Sequence, residues 1–95
     1  MSVTPQQRNE LAHRSSTSPL ALVVELDPTA AGAMLRVLTL LARRRFSVKR
    51  ANFAPDPERG SDLLQVELDA PQHMHGNLIA WVGALVPVRS VRVQN

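Results

Sequence analysis

Histidines and carboxylates are the first residues to consider, because they supply most of the acid–base and metal chemistry of proteins. His73 and His75 form a His-x-His pair that would offer two imidazoles to one metal ion. Protein zinc sites use three or four protein ligands, and the remaining histidine, His13, lies far away in the sequence. We therefore interpret the pair as surface residues at a helix start, and we expect no metal site.

No pattern typical of an autonomous active site accompanies these residues. Asp27, Asp56, Asp62 and Asp69 stand at the ends of predicted elements, where aspartate caps helices and makes turns. The absence of cysteine excludes disulfides and thiolate catalysis and fits a reducing compartment. No Gly-x-Ser-x-Gly nucleophile motif occurs. The sequence therefore predicts no catalytic residue and no cofactor in this chain.

The positive charge is concentrated in one stretch. The net charge is +3, and six cations fall within fifteen residues that contain no acid: Arg36, Arg43, Arg44, Arg45, Lys49 and Arg50. Such a cluster is a solvated helix end that suits the helix dipole, a contact for an acidic protein, or a nucleic-acid site. The single tryptophan, Trp81, is either a core-edge residue or an anchor for a partner.

Hydrophobic periodicity predicts the elements that position these residues. The predicted order begins with a strand over Leu20–Leu26, a helix over Ala31–Arg44, and strands over Phe46–Ala54 and Leu64–Asp69. A second helix then begins near Gln72–Gly76 and is stopped by Pro87, and a last strand covers Val88–Val93. The first strand is apolar enough to be central, and the second is polar enough to be an edge. This βαββαβ order predicts an α+β, ferredoxin-like fold, with two helices on one face of a four-stranded antiparallel sheet.

The chain divides into an N-terminal arm and one domain. Residues 1–18 are polar and predict a flexible arm, whereas residues 19–95 form the domain. Hydrophobic residues make up 44% of the chain and charged residues 20%, as in ordinary globular domains. No apolar run approaches the ~18 residues of a membrane span, and residues 1–18 lack the apolar core of a secretory signal. We expect a cytoplasmic protein without membrane contact.

Two motifs resemble a known family. Gly32-Ala33-Met34-x-Arg36-Val37, followed after a helical interval by Arg43-Arg44-Arg45-Phe46-Ser47-Val48, resembles the ACT domain of acetohydroxyacid (acetolactate) synthase small subunits. The family pattern is approximately Gly-Val/Ala-Leu-x-Arg-Val and then Arg-Arg-Gly-Phe-Asn-Ile. The likeness continues through Ala84–Val88, where the family has Lys-Leu-x-Asp-Val. It covers about Leu20–Val93 and is most like the compact small subunit of the type II isozyme.

The resemblance implies a non-catalytic regulatory subunit, dimeric, that binds and activates a large catalytic subunit. That large subunit would carry thiamine diphosphate, magnesium and FAD, and would join two pyruvates, or pyruvate and 2-oxobutyrate, for branched-chain amino acid synthesis. The implied effector, a branched-chain amino acid, would bind at the turn and helix start formed by Thr29, Ala31, Gly32, Ala33 and Met34, because free N–H groups at a helix start accept a carboxylate. The candidates for partner contact are Arg43, Arg44, Arg45 and Trp81.

The chain departs from the family pattern at several positions. Thr29 stands where the family has the asparagine of an Asn-x-x-Gly turn, and Trp81 and Gly83 stand where polar residues are usual. Arg45 replaces a glycine, so a left-handed backbone there would be strained. Two alternatives therefore stay open: a stand-alone amino-acid sensor, and nucleic-acid binding through Arg43–Arg50, which lacks support from aromatic residues on the first and third predicted strands.

Overall fold

The structure is a computed structural model that describes residues 17–94. The strands are β1 (Thr17–Leu26), β2 (Val48–Asp56), β3 (Ser61–Pro71) and β4 (Val88–Val93), and the helices are α1 (Ala33–Arg43) and α2 (His75–Gly83). A 3-10 turn, Gln72–Met74, leads into α2. The strands form one antiparallel sheet in the order β2-β3-β1-β4. The predicted ferredoxin-like fold is confirmed, with β1 central and β2 at an edge.

One hydrophobic core lies between the sheet and both helices. The two central strands alternate, so that every second residue of β1 and β3 faces the helices. The fully buried side chains of this core are Leu22, Val24, Leu26, Val37, Leu41, Leu64, Val66, Leu68, Leu78 and Val82. Burying each contributes about 1.5–3 kcal/mol. Because one cluster joins residues of both helices, both helices cover the same face of the sheet.

The valines of β4 are spaced irregularly because the pairing with β1 is irregular. Val88, Val91 and Val93 all lie opposite core residues of β1, although two residues rather than one separate Val88 from Val91. A register shift between Glu25 and Leu26 of β1 accommodates the additional residue. The three valines therefore share the helix side of the sheet.

The second helix ends earlier than predicted. It stops at Gly83, and the Leu85 N–H donates to the Val82 carbonyl at 3.1 Å, which tightens the last turn. Val86, which the predicted helix included, is instead outside the helix and 93% exposed. The physical reason is Pro87, which disfavours helical backbone in the residue before it.

The other boundaries move by a few residues. α1 begins at Ala33 rather than Ala31 because Gly32 has a left-handed φ of 70°. β1 begins at Thr17, so Thr17 and Ser18 of the predicted arm belong to the sheet, whereas residues 1–16 lie outside the described residues. Neither helix of the described chain has the length and apolar character needed to span a bilayer.

Candidate functional site

The loop between β1 and α1 is organised around one carboxylate. Asp27 Oδ1 accepts hydrogen bonds from the Thr29 backbone N–H at 2.9 Å and from the Thr29 hydroxyl at 2.7 Å. The Ala30 N–H donates to the Asp27 carbonyl at 3.1 Å. These bonds form an Asx turn, which leads to Gly32 in left-handed backbone. The Thr29 side chain therefore has a structural partner within the loop.

The start of α1 lacks side-chain capping. No side chain caps the helix at Gly32, and no acidic residue lies in the first turn. The first N–H groups of a helix have no partner within the helix, and they attract anions. The predicted effector residues meet here: Thr29 and Ala31 are exposed, Ala33 is buried and Met34 is 38% exposed. This loop and first turn can accept a carboxylate through backbone donors, and effector binding there stays a prediction.

A group of polar side chains lies beside this loop, on the sheet face opposite the helices. The Ser61 hydroxyl donates to Glu25 Oε2 at 2.8 Å, and the Ser90 hydroxyl donates to Glu25 Oε1 at 3.0 Å. Arg89 Nη1 donates to Ser61 Oγ at 2.8 Å, and Arg89 Nη2 lies 3.6 Å from Asp27 Oδ1. We call these five residues the polar cluster. It links β1, β3 and β4 to the β1–α1 loop.

Hydrogen bonds stabilise the charged forms of both carboxylates in the polar cluster. The Ser61 hydroxyl, and then the Ser90 hydroxyl, hold the pKa of Glu25 below its ordinary value. The side-chain and backbone hydrogen bonds from Thr29 lower the pKa of Asp27 in the same way. A hydrogen bond to a carboxylate favours its ionised form. Both groups are therefore structural acceptors near neutral pH.

The polar cluster was not predicted from the sequence, although the sequence contains a signal for it. Glu25 is the one charged residue in the strand Thr17–Leu26. Glu25 is half-buried between neighbouring strands, and a carboxylate that loses part of its contact with water favours polar partners. The identity of those partners depends on the strand order, which places β3 and β4 on either side of β1.

The end of α1 explains the backbone of Arg45. The Arg45 N–H donates to the Ala42 carbonyl, and the Phe46 N–H donates to the Leu41 carbonyl, both at 3.0 Å. This pair of bonds is a Schellman motif, whose residue after the cap takes left-handed backbone and is usually glycine. Arg45 is the one non-glycine residue with positive φ among the described residues, at 66°. Left-handed backbone costs a non-glycine residue roughly 1–2 kcal/mol.

Two of the predicted partner-contact residues contact each other. The Arg44 guanidinium carbon lies 3.7 Å from the centroid of the Trp81 ring, which is a cation–π contact. It joins the end of α1 to α2. Arg43 lies in the last turn of α1, and within residues 17–94 its side chain has no ion-pair partner. Contact of these residues with another protein stays a prediction.

The cations of β2 differ from those of α1, because they are paired. Lys49 Nζ lies 2.6 Å from Asp69 Oδ2, and Arg50 Nη1 lies 3.7 Å from Glu67 Oε2. Both acids belong to β3, the neighbouring strand. The basic stretch of the sequence is therefore two groups in space, one neutralised on the sheet and one without acids at the end of α1.

The two histidines make separate contacts. His75 Nε2 donates to the Ala70 carbonyl at 2.9 Å, which ties the start of α2 to the end of β3. His73 is exposed in the 3-10 turn. Between residues 17 and 94, no three side chains of His, Cys, Asp or Glu come together as metal ligands would.

Known proteins resemble this chain in fold rather than in sequence. No protein-family model matches it, and no curated protein matches it either. Among solved structures, the chain is similar to the ACT domain of a GTP pyrophosphokinase from Chlorobium tepidum, with a TM-score of 0.68 and 6% identity, over 82% of this chain and 99% of that chain. The solution structure of the same domain gives a TM-score of 0.69.

Two further structures share the architecture. An uncharacterized protein from Thermotoga maritima has a TM-score of 0.61 and 16% identity, over 83% of this chain and 99% of that chain. The C-terminal domain of the MgtC protein from Mycobacterium tuberculosis has a TM-score of 0.61 and 15% identity, over 83% of this chain and 87% of that chain. The chain thus has the ferredoxin-like fold that ACT domains adopt.

Proposed function

We propose that this chain is a regulatory module without catalytic activity, and specifically the small subunit of an acetolactate synthase, which binds and activates the large catalytic subunit. The observation that carries this proposal is the backbone at Arg45. The small-subunit pattern Arg-Arg-Gly-Phe has glycine at this position. Arg45 has a φ of 66°, which is the left-handed backbone that glycine adopts without strain. The sequence motif therefore coincides with a specific turn.

The arrangement of the polar groups supports a regulatory rather than a catalytic role. The carboxylates of the polar cluster are occupied by hydroxyl and guanidinium partners. Those of Asp69 and Glu67 pair with cations of β2. Under this proposal thiamine diphosphate, magnesium and FAD belong to the large subunit, and this chain acts by binding it. The two edge strands, β2 and β4, would let two copies extend one sheet into a homodimer.

Co-expression with an acetolactate synthase large subunit from the same organism tests this proposal. We expect the two chains to elute as one complex in size-exclusion chromatography, and we expect acetolactate formation by the large subunit to increase. A matched control is the large subunit expressed with an unrelated ACT-fold domain. Separate elution together with unchanged activity would exclude the acetolactate synthase assignment.

A second candidate function is a stand-alone amino-acid sensor. The uncapped start of α1, next to left-handed Gly32, favours this function because it leaves backbone donors for a carboxylate. The loop residues Thr29 and Ala31, and the first-turn residues Ala33 and Met34, would surround the ligand. Exposed apolar surface at Met34 fits an aliphatic side chain such as that of a branched-chain amino acid.

Calorimetric titration with each proteinogenic amino acid tests the sensor function. We expect heat from the branched-chain amino acids and its loss in Gly32→Ala, because alanine is strained at φ 70°. Gly60→Ala is the matched control, since Gly60 has a similar φ of 63° in the β2–β3 turn. No heat with any amino acid would exclude the sensor function.

A further inference from the structure

The helices and the segments that flank them contain no acidic residue. We call residues 28–47 and 72–87 the helix layer. Residues 28–55 and 70–94 contain neither Asp nor Glu, whereas the helix layer carries four arginines, Arg36, Arg43, Arg44 and Arg45. Surface helices usually mix both signs of charge, which supports the helix and its solubility. Among residues 17–94, the acids lie instead on the sheet, on the β2–β3 turn and, at Asp27, directly after β1.

An apolar cleft lies among these arginines. It has a volume of about 320 Å³ and is lined by Leu35, Arg36, Thr39, Leu40, Arg43 and Leu85. Leu35 is 66% exposed. Within residues 17–94, the side chains of Arg36 and Arg43 form no ion pair. The cleft therefore combines one exposed and two partly buried leucines with two cations that have no acid partner in the described chain.

Charge complementarity distinguishes among the molecules that could occupy this cleft. The segment 1–16 carries Arg8 and Arg14 against one acid, Glu10, so it does not complement the arginines. The helix layer of a second copy would place arginines against arginines, which is repulsive. A nucleic acid would complement the charge, but it has no aliphatic side chain to cover the leucines. An acidic protein segment with apolar residues satisfies both requirements.

We propose that this cleft is a docking site for an acidic amphipathic helix of a partner protein. Leucine or similar side chains of the partner would enter between Leu35, Leu40 and Leu85, and its carboxylates would pair with Arg36 and Arg43. A helix that binds in a groove inserts apolar side chains that recur at helical spacing. Carboxylates bind arginine strongly. The inference rests on the proposed function only in that a regulatory module needs a protein partner.

Synthetic peptides test the docking site on the full chain. The acidic probe has leucines at positions i, i+3, i+4 and i+7 and glutamates elsewhere. One comparison peptide has lysine for glutamate, and another has the acidic composition in scrambled order. Trp81, the single tryptophan, reports binding through its emission when the peptides contain none. We expect saturable binding of the acidic probe and at least about tenfold weaker binding of both others.

Variants place the binding in the cleft. Leu35→Ala and the double variant Arg36→Gln, Arg43→Gln are each expected to weaken binding of the acidic probe about tenfold. Arg92→Gln is the matched control, because Arg92 lies on β4 with its side chain on the opposite sheet face, across from Val23. Circular dichroism and the melting temperature verify that each variant is folded. Equal weakening by Arg92→Gln would overturn the proposed location.

Other outcomes also overturn the proposal. These are no binding of the acidic probe, equal binding of the scrambled peptide, stronger binding of a single-stranded RNA oligonucleotide or of phosphatidylglycerol vesicles, and self-association that Leu35→Ala abolishes.

The test is distinct from the co-expression experiment. If the large subunit co-purifies with the Arg36→Gln, Arg43→Gln variant as well as with the unchanged chain, that result would contradict this docking site while supporting the proposed function. Peptide binding without large-subunit binding would do the reverse.

Discussion

The polar cluster and the helix layer differ in whether their charged side chains have partners of opposite charge or hydrogen-bond partners. In the polar cluster, both oxygens of Glu25 accept hydrogen bonds, and Arg89 contacts Ser61 and Asp27. In the helix layer, Arg36 and Arg43 have no acid partner within residues 17–94. Paired polar groups hold strands together, whereas unpaired cations contribute little to stability. The difference indicates that the polar cluster stabilises the fold, whereas the charges of the helix layer do not, and this contrast motivates the proposed docking site.

Removing the central hydroxyl of the polar cluster should have the largest effect on stability. Ser61 is 2% exposed and both donates to Glu25 and accepts from Arg89. Ser61→Ala removes one hydrogen bond from the Glu25 carboxylate and one from the Arg89 guanidinium. We therefore expect the free energy of unfolding to fall by about 2 kcal/mol. Urea denaturation measures this change. The control is Ser90→Ala at an exposed partner of Glu25, where a loss as large as that of Ser61→Ala would contradict a buried central role.

Relieving the backbone at the end of α1 should stabilise the protein. Arg45→Gly removes the cost of left-handed backbone but adds glycine entropy to the unfolded chain, so we expect a net gain of about 0.5–1 kcal/mol. Arg45→Ala is the matched control, because it removes the charge and keeps the strain. Its stability should stay near that of the parent protein. If both variants gained equally, repulsion among the arginines rather than the backbone would be the cause.

Among the described residues, the contact between Arg44 and Trp81 is the one side-chain interaction of a helix-layer arginine, and its effect should be similar in size to that of Arg45→Gly. A cation–π contact at a partly exposed site is worth about 0.5–1 kcal/mol. A double-mutant cycle with Arg44→Ala and Trp81→Leu measures it as a coupling energy. The same cycle with Arg43→Ala serves as the control, for which we expect no coupling. Equal coupling in both cycles would show that Trp81 senses the charge of the cluster rather than this contact.

The fold could be predicted because hydrophobic periodicity is local and strong. Leu64, Val66 and Leu68 alternate along β3, and Val37 and Leu41 recur at helical spacing in α1. The boundaries were less predictable. Residues 85 and 86 continue the apolar pattern of α2, but the proline that follows them ends the helix. Local backbone chemistry decided the end of the element there.

The candidate site was predicted only in part, because its contacts join distant segments. The sequence placed Arg44 and Trp81 in one set of partner-contact residues, but their mutual contact depends on how the two helices pack. The partners of Glu25 come from two strands that are 36 and 65 residues further along the chain. No local pattern carries this information. The pairing of Lys49 with β3 likewise follows from the register of the sheet.

Acid titration should produce the smallest effect, which we expect from the two carboxylates of the polar cluster. Hydrogen bonds lower the folded-state pKa of Glu25 and of Asp27, so the unfolded chain binds more protons in this range. The stabilisation is complete above about pH 5 and is lost as the pH falls through the folded-state pKa values. Because both carboxylates are accessible to solvent, the loss should be modest. Urea denaturation from pH 6 down to about pH 3 measures it.

Variants of each region assign that pH dependence. Glu25→Gln and Asp27→Asn should flatten the slope of unfolding free energy against pH, because each removes a carboxylate whose pKa is lowered on folding. Arg43→Gln should leave the slope unchanged, since arginine does not titrate in this range and has no acid partner in the described chain. A slope that changed with Arg43→Gln would mean that the arginines of the helix layer interact with the titrating carboxylates across the sheet. The separation between a paired sheet and an unpaired helix layer would then be wrong.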